Sequence, residues 1–270
     1  MKEFELLRHY YKPVQPTILA TDEWVSYHEI LPQPSLQNSI YCFWQLKTTK
    51  PLSNPFVYRV VADGCIDIFF DNTCPEESFV MGFCKKYTAF PLQPSFDYIG
   101  IRFFPSMLPQ IFNVNASEWS NKTVELASVL PQISTALKQR LSGGQDFVAV
   151  TEALNQIFYE ALAVADLKYD MRFYEALHLI LKKYGVVETE SDLNTGLSNR
   201  QMRRIFNQYI GTSPKTFSKV IRFQNILHAK PSAQSLKHNK LFYGLGYYDQ
   251  AHFIKDFKSL YGVTPMQAFR

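Results

Sequence analysis

The chain has 270 residues, 46% of them hydrophobic and 19% charged, a globular composition long enough for two domains that each bury a core. No apolar run approaches the roughly 18–20 residues that span a bilayer. Acids stand in Met1-Lys2-Glu3-Phe4-Glu5 where a secretory signal would be apolar, so a cytoplasmic protein with no membrane partner is expected. The formal charge of +4 divides unevenly: residues 172–270 hold 15 Lys and Arg against 6 Asp and Glu, and the preceding residues hold 13 against 18. A basic end on an acidic body suggests a nucleic-acid module carried by a domain with another task.

Residues 1–125 read as a β-rich domain. Runs rich in aromatic and β-branched residues, at Ser39–Leu46, Phe56–Val61, Cys65–Phe70 and Tyr98–Phe104, are separated by Pro, Asn, Asp and Gly. Short strands with punctuated turns favour a barrel or sandwich. Cys42, Cys65, Cys74 and Cys84 show no CxxC spacing and read as reduced, mostly buried thiols. Only His9 and His28 precede residue 172, too few for the histidine cluster of a metal-dependent barrel enzyme. There is no phosphate-binding glycine loop, nucleophile elbow or paired-histidine metal motif, so neither a cofactor, a metal nor enzymatic activity is expected. Asp63, Asp67 and Arg102 are the candidate ligand-binding residues, as an anion or sugar site. Two plainer readings stay open beside it: Asp63-Gly64 as a hairpin turn, and Arg102 as a structural ion-pair partner. Glu76-Glu77 and Lys85-Lys86 read as solvated surface charge.

Beyond about Val124 the period changes. Residues 126–168 form a helical segment in which Phe147, Val150, Leu154, Ile157, Phe158 and Ala161 recur at three- and four-residue steps. This is one stripe on a helix of about five turns. It either packs on its own domain or pairs two subunits. A further helix starts at Asp170, carries Phe173, Leu177, Ile180 and Leu181 inward, and ends at Lys182-Lys183-Tyr184-Gly185.

Residues 169–270 contain an internal repeat offset by 51 positions: Arg204 matches Lys255, Phe206 matches Phe257, Gly211 matches Gly262, and Ser213-Pro214 matches Thr264-Pro265. Each unit opens a helix at a capping residue, Ser198 or Asp249, and Ser198 with Gln201 fits a capping box. Met202, Ile205, Phe206 and Tyr209 face inward in the first helix; Phe253, Phe257, Leu260 and Tyr261 do so in the second. Each helix stops at a glycine, and a Ser-Pro or Thr-Pro pair starts the next. A turn containing Gly196 or Gly246, then a capped helix with a basic polar face, is the layout of a helix-turn-helix. Such a helix fits a major groove about 12 Å wide, where Arg reads guanine, Asn or Gln reads adenine, and surrounding Lys and Arg meet phosphate.

The segment Gly196-Leu197-Ser198-Asn199-Arg200-Gln201-Met202-Arg203-Arg204-Ile205-Phe206, with Gly211-Thr212-Ser213-Pro214-Lys215, resembles the first helix-turn-helix of the AraC/XylS family. Residues Gly246 to Lys258, with Gly262-Val263-Thr264-Pro265, resemble the second. The resemblance covers about residues 170–270 and implies two recognition helices in successive major-groove faces of one DNA site. Asn199, Arg200, Arg203, Arg204 and Asn207 are then the DNA-binding candidates of the first module, and Gln250, His252, Lys255 and Lys258 those of the second. Ser191-Asp192, and Phe242 with Gly244, depart from the family's helix-favouring scaffold residues and predict short or irregular scaffold helices. Ala62–Ile68 and Gly100–Pro105 resemble motifs of a cupin-like sensor domain found ahead of some such modules. The expected fold is therefore α+β: a β-rich cupin-like barrel or sandwich, then helices, then an all-α domain with two helix-turn-helix units.

The function implied is a sequence-specific transcription regulator. Double-stranded DNA is the expected partner; a small-molecule effector, RNA polymerase and a second copy of the chain are further candidates. The alternative is a metabolite-binding protein whose degenerate helix-turn-helix units mediate protein contacts. A third reading, a deaminase- or repair-type enzyme, would require Cys42, Cys65 and Cys84 to converge.

Overall fold

The computed structural model describes residues 7–16, 24–54, 56–189, 191–231 and 244–269. Its N-terminal part holds eight described strands: β1 (Val25–Ile30), β2 (Ile40–Thr48), β3 (Phe56–Val60), β4 (Ile66–Asp71), β5 (Cys74–Met81), β6 (Thr88–Leu92), β7 (Asp97–Phe103) and β8 (Thr123–Glu125). Six of them form an antiparallel sheet in the order β1-β2-β7-β4-β5-β8, and β3 pairs with β6 as a separate two-stranded ribbon.

Strand alternation divides the sheet into two unlike faces. Phe43, Ile66, Ile68, Phe70, Val80, Ile99, Ile101 and Phe103 bury one face. The other carries Trp44 and Leu46 of β2, Asp67 and Phe69 of β4, Met81 of β5, and Tyr98 and Arg102 of β7, all around one cavity. The β3–β6 ribbon closes that face by turning Tyr58, Val60, Phe90 and Leu92 inward. Gly100 lets the two central strands accommodate the Trp44 indole, since a Cβ there would lie 2.1 Å from the ring.

The helices that follow cover the aliphatic face. They are α1 (Met107–Ile111), α2 (Leu126–Val129), α3 (Pro131–Arg140) and α4 (Phe147–Ala163). Asp146 caps α4 by accepting from Val148 and Ala149 N–H at 3.0 and 3.1 Å. The expected stripe is spent on the chain's own sheet: Val150, Leu154, Ile157 and Phe158 are buried there, each contributing about 1.5–3 kcal/mol of apolar burial. Phe158 meets Phe103 edge-on at 5.5 Å. Pairing of two subunits through α4 would have to use its outer face, where Val148 and Tyr159 are exposed.

The C-terminal part consists of α5 (Met171–Lys182), α6 (Asn199–Ile210), α7 (Pro214–Ala229), α8 (Gln250–Tyr261) and α9 (Pro265–Ala268) among the described residues. Asp170 caps α5, and the left-handed Gly185 closes it by donating to Ile180 O at 2.8 Å. These helices share one continuous core with the N-terminal part. Phe173, Met202, Phe206, Phe217, Phe253 and Phe257 join Tyr11, Val61, Ala62, Cys65, Phe83 and Phe104 in a single buried cluster. Gly64, at φ 92°, approaches the Phe217 ring so closely that a Cβ would lie 3.1 Å from it.

Two expectations need correction or qualification. Asp63-Gly64 does not make a hairpin, because β3 and β4 are not paired; the turn carries the chain from the ribbon into the main sheet. Asp63 Oδ1 accepts from Cys65 N–H at 2.9 Å, an Asx-type local bond that fixes the turn. The first scaffold segment has no helix among its described residues between Gly185 and Ser198, so its irregularity exceeds what Ser191 and Asp192 predicted. The corresponding stretch of the second module around Phe242 lies outside the described residues.

Candidate nucleic-acid interface and the N-terminal cavity

Local chemistry sets both candidate recognition helices. Ser198 and Gln201 form the capping box at the start of α6, and Gly211 ends the helix at φ 90° with its N–H on Phe206 O and Asn207 O. Asp249 caps α8 by accepting from His252 N–H at 2.7 Å, and Gly262 ends it at φ 101°. Pro214 and Pro265 then open the next helices behind Ser213 and Thr264. Of the residues the sequence assigns inward, Met202 and Phe206 in α6 and Phe253, Phe257 and Leu260 in α8 are buried, Ile205, Tyr209 and Tyr261 are partly buried, and Ile210 joins the buried face of α6.

The outward faces hold every DNA-binding candidate. Asn199, Arg200, Arg203, Arg204 and Asn207 are exposed on α6; Gln250, His252, Lys255 and Lys258 are exposed on α8. On α6 the arginines and Asn207 share one concave surface with Ser117 of the 3-10 turn Ala116–Trp119 and with Asn115, which caps it. On α8, His252 Nε2 lies 3.3 Å from Asp256, whose other oxygen accepts from Lys219 Nζ at 2.7 Å.

One residue that sequence reasoning missed bridges the two modules. Arg222 of α7 donates from Nη1 to Gly246 O at 2.6 Å and from Nη2 to Gly185 O at 3.0 Å. Its guanidinium also lies 5.2 Å from the centre of the Tyr247 ring. Gly246 belongs to the second module and Gly185 to the entry of the first, so α7 ties the two together. The signal in the sequence is an arginine set between the apolar Val220-Ile221 and Phe223.

The structure brings Asp63, Asp67 and Arg102 together. Arg102 Nη2 donates to Asp67 Oδ2 at 3.0 Å, and its Nε lies 3.8 Å from Asp63 Oδ2. Trp44 Nε1 donates to Asp67 Oδ2 as well, at 3.0 Å. Asp63 also accepts from Gln15 Nε2 at 2.8 Å. Burial raises the Asp67 pKa to about 6, against the lowering influence of Arg102. Burial opposes the Arg102 charge, but Asp67 followed by Tyr27 and Asp63 holds its pKa well above the ordinary value. Arg102 is a structural ion-pair partner of Asp67, and the pair also lines the cavity. Asp63 supports the pair from outside the lining.

The cavity measures about 80 Å³, and its walls are mostly apolar, with the rings of Trp44, Tyr58, Phe69, Phe90 and Tyr98 prominent among them. Alternation along β2 and β7 turns Trp44 with Leu46 and Tyr98 with Arg102 toward the cavity, whereas Tyr58 and Phe90 reach it through the ribbon pairing. Cysteine chemistry is subdued nearby. Burial pushes the Cys65 thiol well up and the Cys84 thiol to about 11. Among the described residues no group of three or more His, Cys, Asp or Glu is placed to hold a metal ion, so Cys42, Cys65 and Cys84 do not converge. No helix among them is long and apolar enough to cross a membrane.

Comparison with known proteins assigns families to both parts. Residues 194–270 match a model described as a helix-turn-helix domain, and residues 28–125 match a domain of unknown function, DUF6597. A search of curated proteins finds no match. Among solved structures, ToxT from Vibrio cholerae O395 is similar at 12% identity, covering 84% of this chain and 96% of that one with a TM-score of 0.40. Unsaturated fatty acid bound wild-type ToxT from Vibrio cholerae strain SCE256 is similar at 13% identity, covering 91% and 94% with a TM-score of 0.39. The chain thus joins a β-rich N-terminal part that matches the DUF6597 model to a C-terminal part that matches the helix-turn-helix model.

Proposed function

We propose that this chain is a sequence-specific DNA-binding transcription regulator controlled by a small molecule in the N-terminal cavity. The observation that carries the DNA reading is the pair of capped helices α6 and α8. Each buries its apolar face and leaves Arg, Lys, Asn, Gln or His side chains exposed. Arg200, Arg203 and Arg204 read base edges or phosphates through α6, and Gln250, His252 and Lys255 do so through α8. Lys258 and Asn207 flank these contacts. A duplex approaching α6 also meets Asn115 and Ser117, which border the same concave surface. One chain carries both helices, so a two-part site does not require a second copy.

The β3–β6 ribbon supports the ligand control. Its inner residues Tyr58, Val60, Phe90 and Leu92 line the cavity. Its flanking residues hold the end of α8: Ala62 N–H donates to Leu260 O at 3.4 Å, and Tyr87 N–H donates to Ser259 O at 3.2 Å. Arg59 of β3 packs beside Gly262, where a Cβ would lie 3.0 Å from its Nε. A molecule that shifts the ribbon therefore shifts the seat of the second recognition helix. That influence requires the ligand to bind one arrangement more tightly than the other.

The irregular segment between Gly185 and Ser198 favours the second reading, in which the helix-turn-helix units make protein contacts. Selection of random duplexes by the full chain separates the two. The regulator enriches a site with two half-motifs about one helical turn apart, and its affinity falls steeply with salt. Weak association without sequence preference would favour the protein-contact reading.

A further inference from the structure

We infer that the N-terminal cavity takes a neutral molecule with an apolar body and a single carbonyl-type oxygen. This assignment deepens the ligand-control reading above and rests on it for its biological role, but its chemistry stands on the cavity itself.

The walls come first. All the lining residues except Asp67 and Arg102 are aromatic or aliphatic, so the chamber demands an apolar surface.

Polarity comes next. Tyr58 and Arg102 are buried to 7% and 3% residual exposure, and both line the cavity. Arg102 uses Nε and Nη2 on Asp67. Among the described residues neither its Nη1 nor the Tyr58 hydroxyl has a hydrogen-bond partner, and neither is a fully enclosed orphan. Two donors without a protein partner face the chamber, so a ligand that displaces water from them must offer an acceptor or forfeit about 1–3 kcal/mol.

Charge decides what kind of acceptor. The guanidinium already faces two carboxylates, Asp67 at 3.0 Å and Asp63 at 3.8 Å. A third carboxylate would enter a site that carries no surplus positive charge, and would lose its hydration to do so. A cation would have to lie beside Arg102. The carboxylate it would seek is occupied: Asp67 Oδ2 accepts from Trp44 and Arg102 together. A neutral ketone, aldehyde or ester oxygen matches both donors with no charge to desolvate.

The test is calorimetric titration of the full chain at pH 7.5 with four probes: cyclohexanone, cyclobutanecarboxylate, cyclohexylammonium and methylenecyclohexane. Cyclohexanone should bind at least tenfold more tightly than either charged probe. Tyr58→Phe should weaken cyclohexanone about fivefold while leaving methylenecyclohexane, which has the ring but no oxygen, unweakened. Equal or tighter binding of the carboxylate or the ammonium would overturn the assignment, as would absence of binding by every probe. Equal weakening of ketone and hydrocarbon by Tyr58→Phe would also overturn it, since the tyrosine would then be acting through packing alone. Duplex affinity measured in the same samples keeps the two readings apart. Ketone binding without any change in duplex affinity supports the chemical assignment and removes the ligand control. Failure of every probe in a protein that still selects a duplex removes the assignment and leaves the DNA reading standing.

Discussion

Arg222→Ala should weaken the fold modestly and blur the spacing at which the two helix-turn-helix modules read DNA. The side chain makes two charge-assisted hydrogen bonds to backbone oxygens, at 2.6 Å to Gly246 and 3.0 Å to Gly185. Each such bond contributes about 1.5–3 kcal/mol when buried. The residue is half-exposed, so both oxygens can recover water, and Arg222 Nε is itself buried without a partner. Loss of the guanidinium over Tyr247 adds roughly 0.5–1 kcal/mol. The net expectation is about 2 kcal/mol of lost stability, seen as a lower urea midpoint at unchanged slope. The functional consequence follows from position. With the brace gone, Gly185 keeps its bond to Ile180 O, but the two glycines are tied to one another only by packing such as the close approach of Gly246 to Val186. Duplexes carrying both half-motifs at the preferred spacing should lose about tenfold in affinity, equivalent to about 1.4 kcal/mol. Duplexes with the spacing altered by one or two base pairs should lose less. Anisotropy titration of a spacing series against wild type and variant measures this directly. A variant that loses stability yet keeps the full spacing preference would refute the claim that Arg222 sets the relation between modules.

Further outcomes are expected at single residues. Arg203→Ala should weaken the selected site by about 1–3 kcal/mol and relax preference at one base pair; an unchanged affinity and site preference would remove its base-reading role. Lys258→Ala should weaken all duplexes alike and lower the salt slope by about one, and a sequence-dependent loss there would count against a phosphate contact. Asp67 gives a pH signature. Its folded pKa, about 6, lies above the ordinary 3.8, so the native state binds this proton more tightly than the unfolded one. Its contribution to stability is full below about pH 4 and is lost as pH rises through about 6. Between those limits wild type should lose up to about 3 kcal/mol relative to Asp67→Asn, and parallel stability curves for the two proteins would contradict it.

The C-terminal domain was legible because its signals are local. Ser198, Asp249, Gly211, Gly262 and the two Pro residues each satisfy a cap or a turn within a few positions, and the 3.6-residue period separates buried Phe206 and Phe257 from exposed Arg203 and Lys255. The four strands read from β-branched and aromatic runs were found within a few residues of their expected ends. Strands β5 and β6 were harder. Glu76-Glu77 sits in β5 facing solvent, and Pro91 sits in β6, where an unpaired ribbon edge tolerates the missing N–H. The cavity was half legible: Asp67 and Arg102 were named, but their meeting with Tyr58 and Phe90 depends on a ribbon folding across the sheet, which no local pattern encodes. Arg222 escaped for the same reason, since its acceptors lie 24 and 37 residues away.

The central claim is that both modules read one duplex. The most direct test takes the site selected from random DNA and titrates the full chain against it, against versions with either half-motif scrambled, and against one with both scrambled, at two salt concentrations. Scrambling either half should cost at least tenfold, scrambling both should leave only salt-sensitive residual binding, and the intact site should be preferred at both salts. Equal binding of all four duplexes would contradict it.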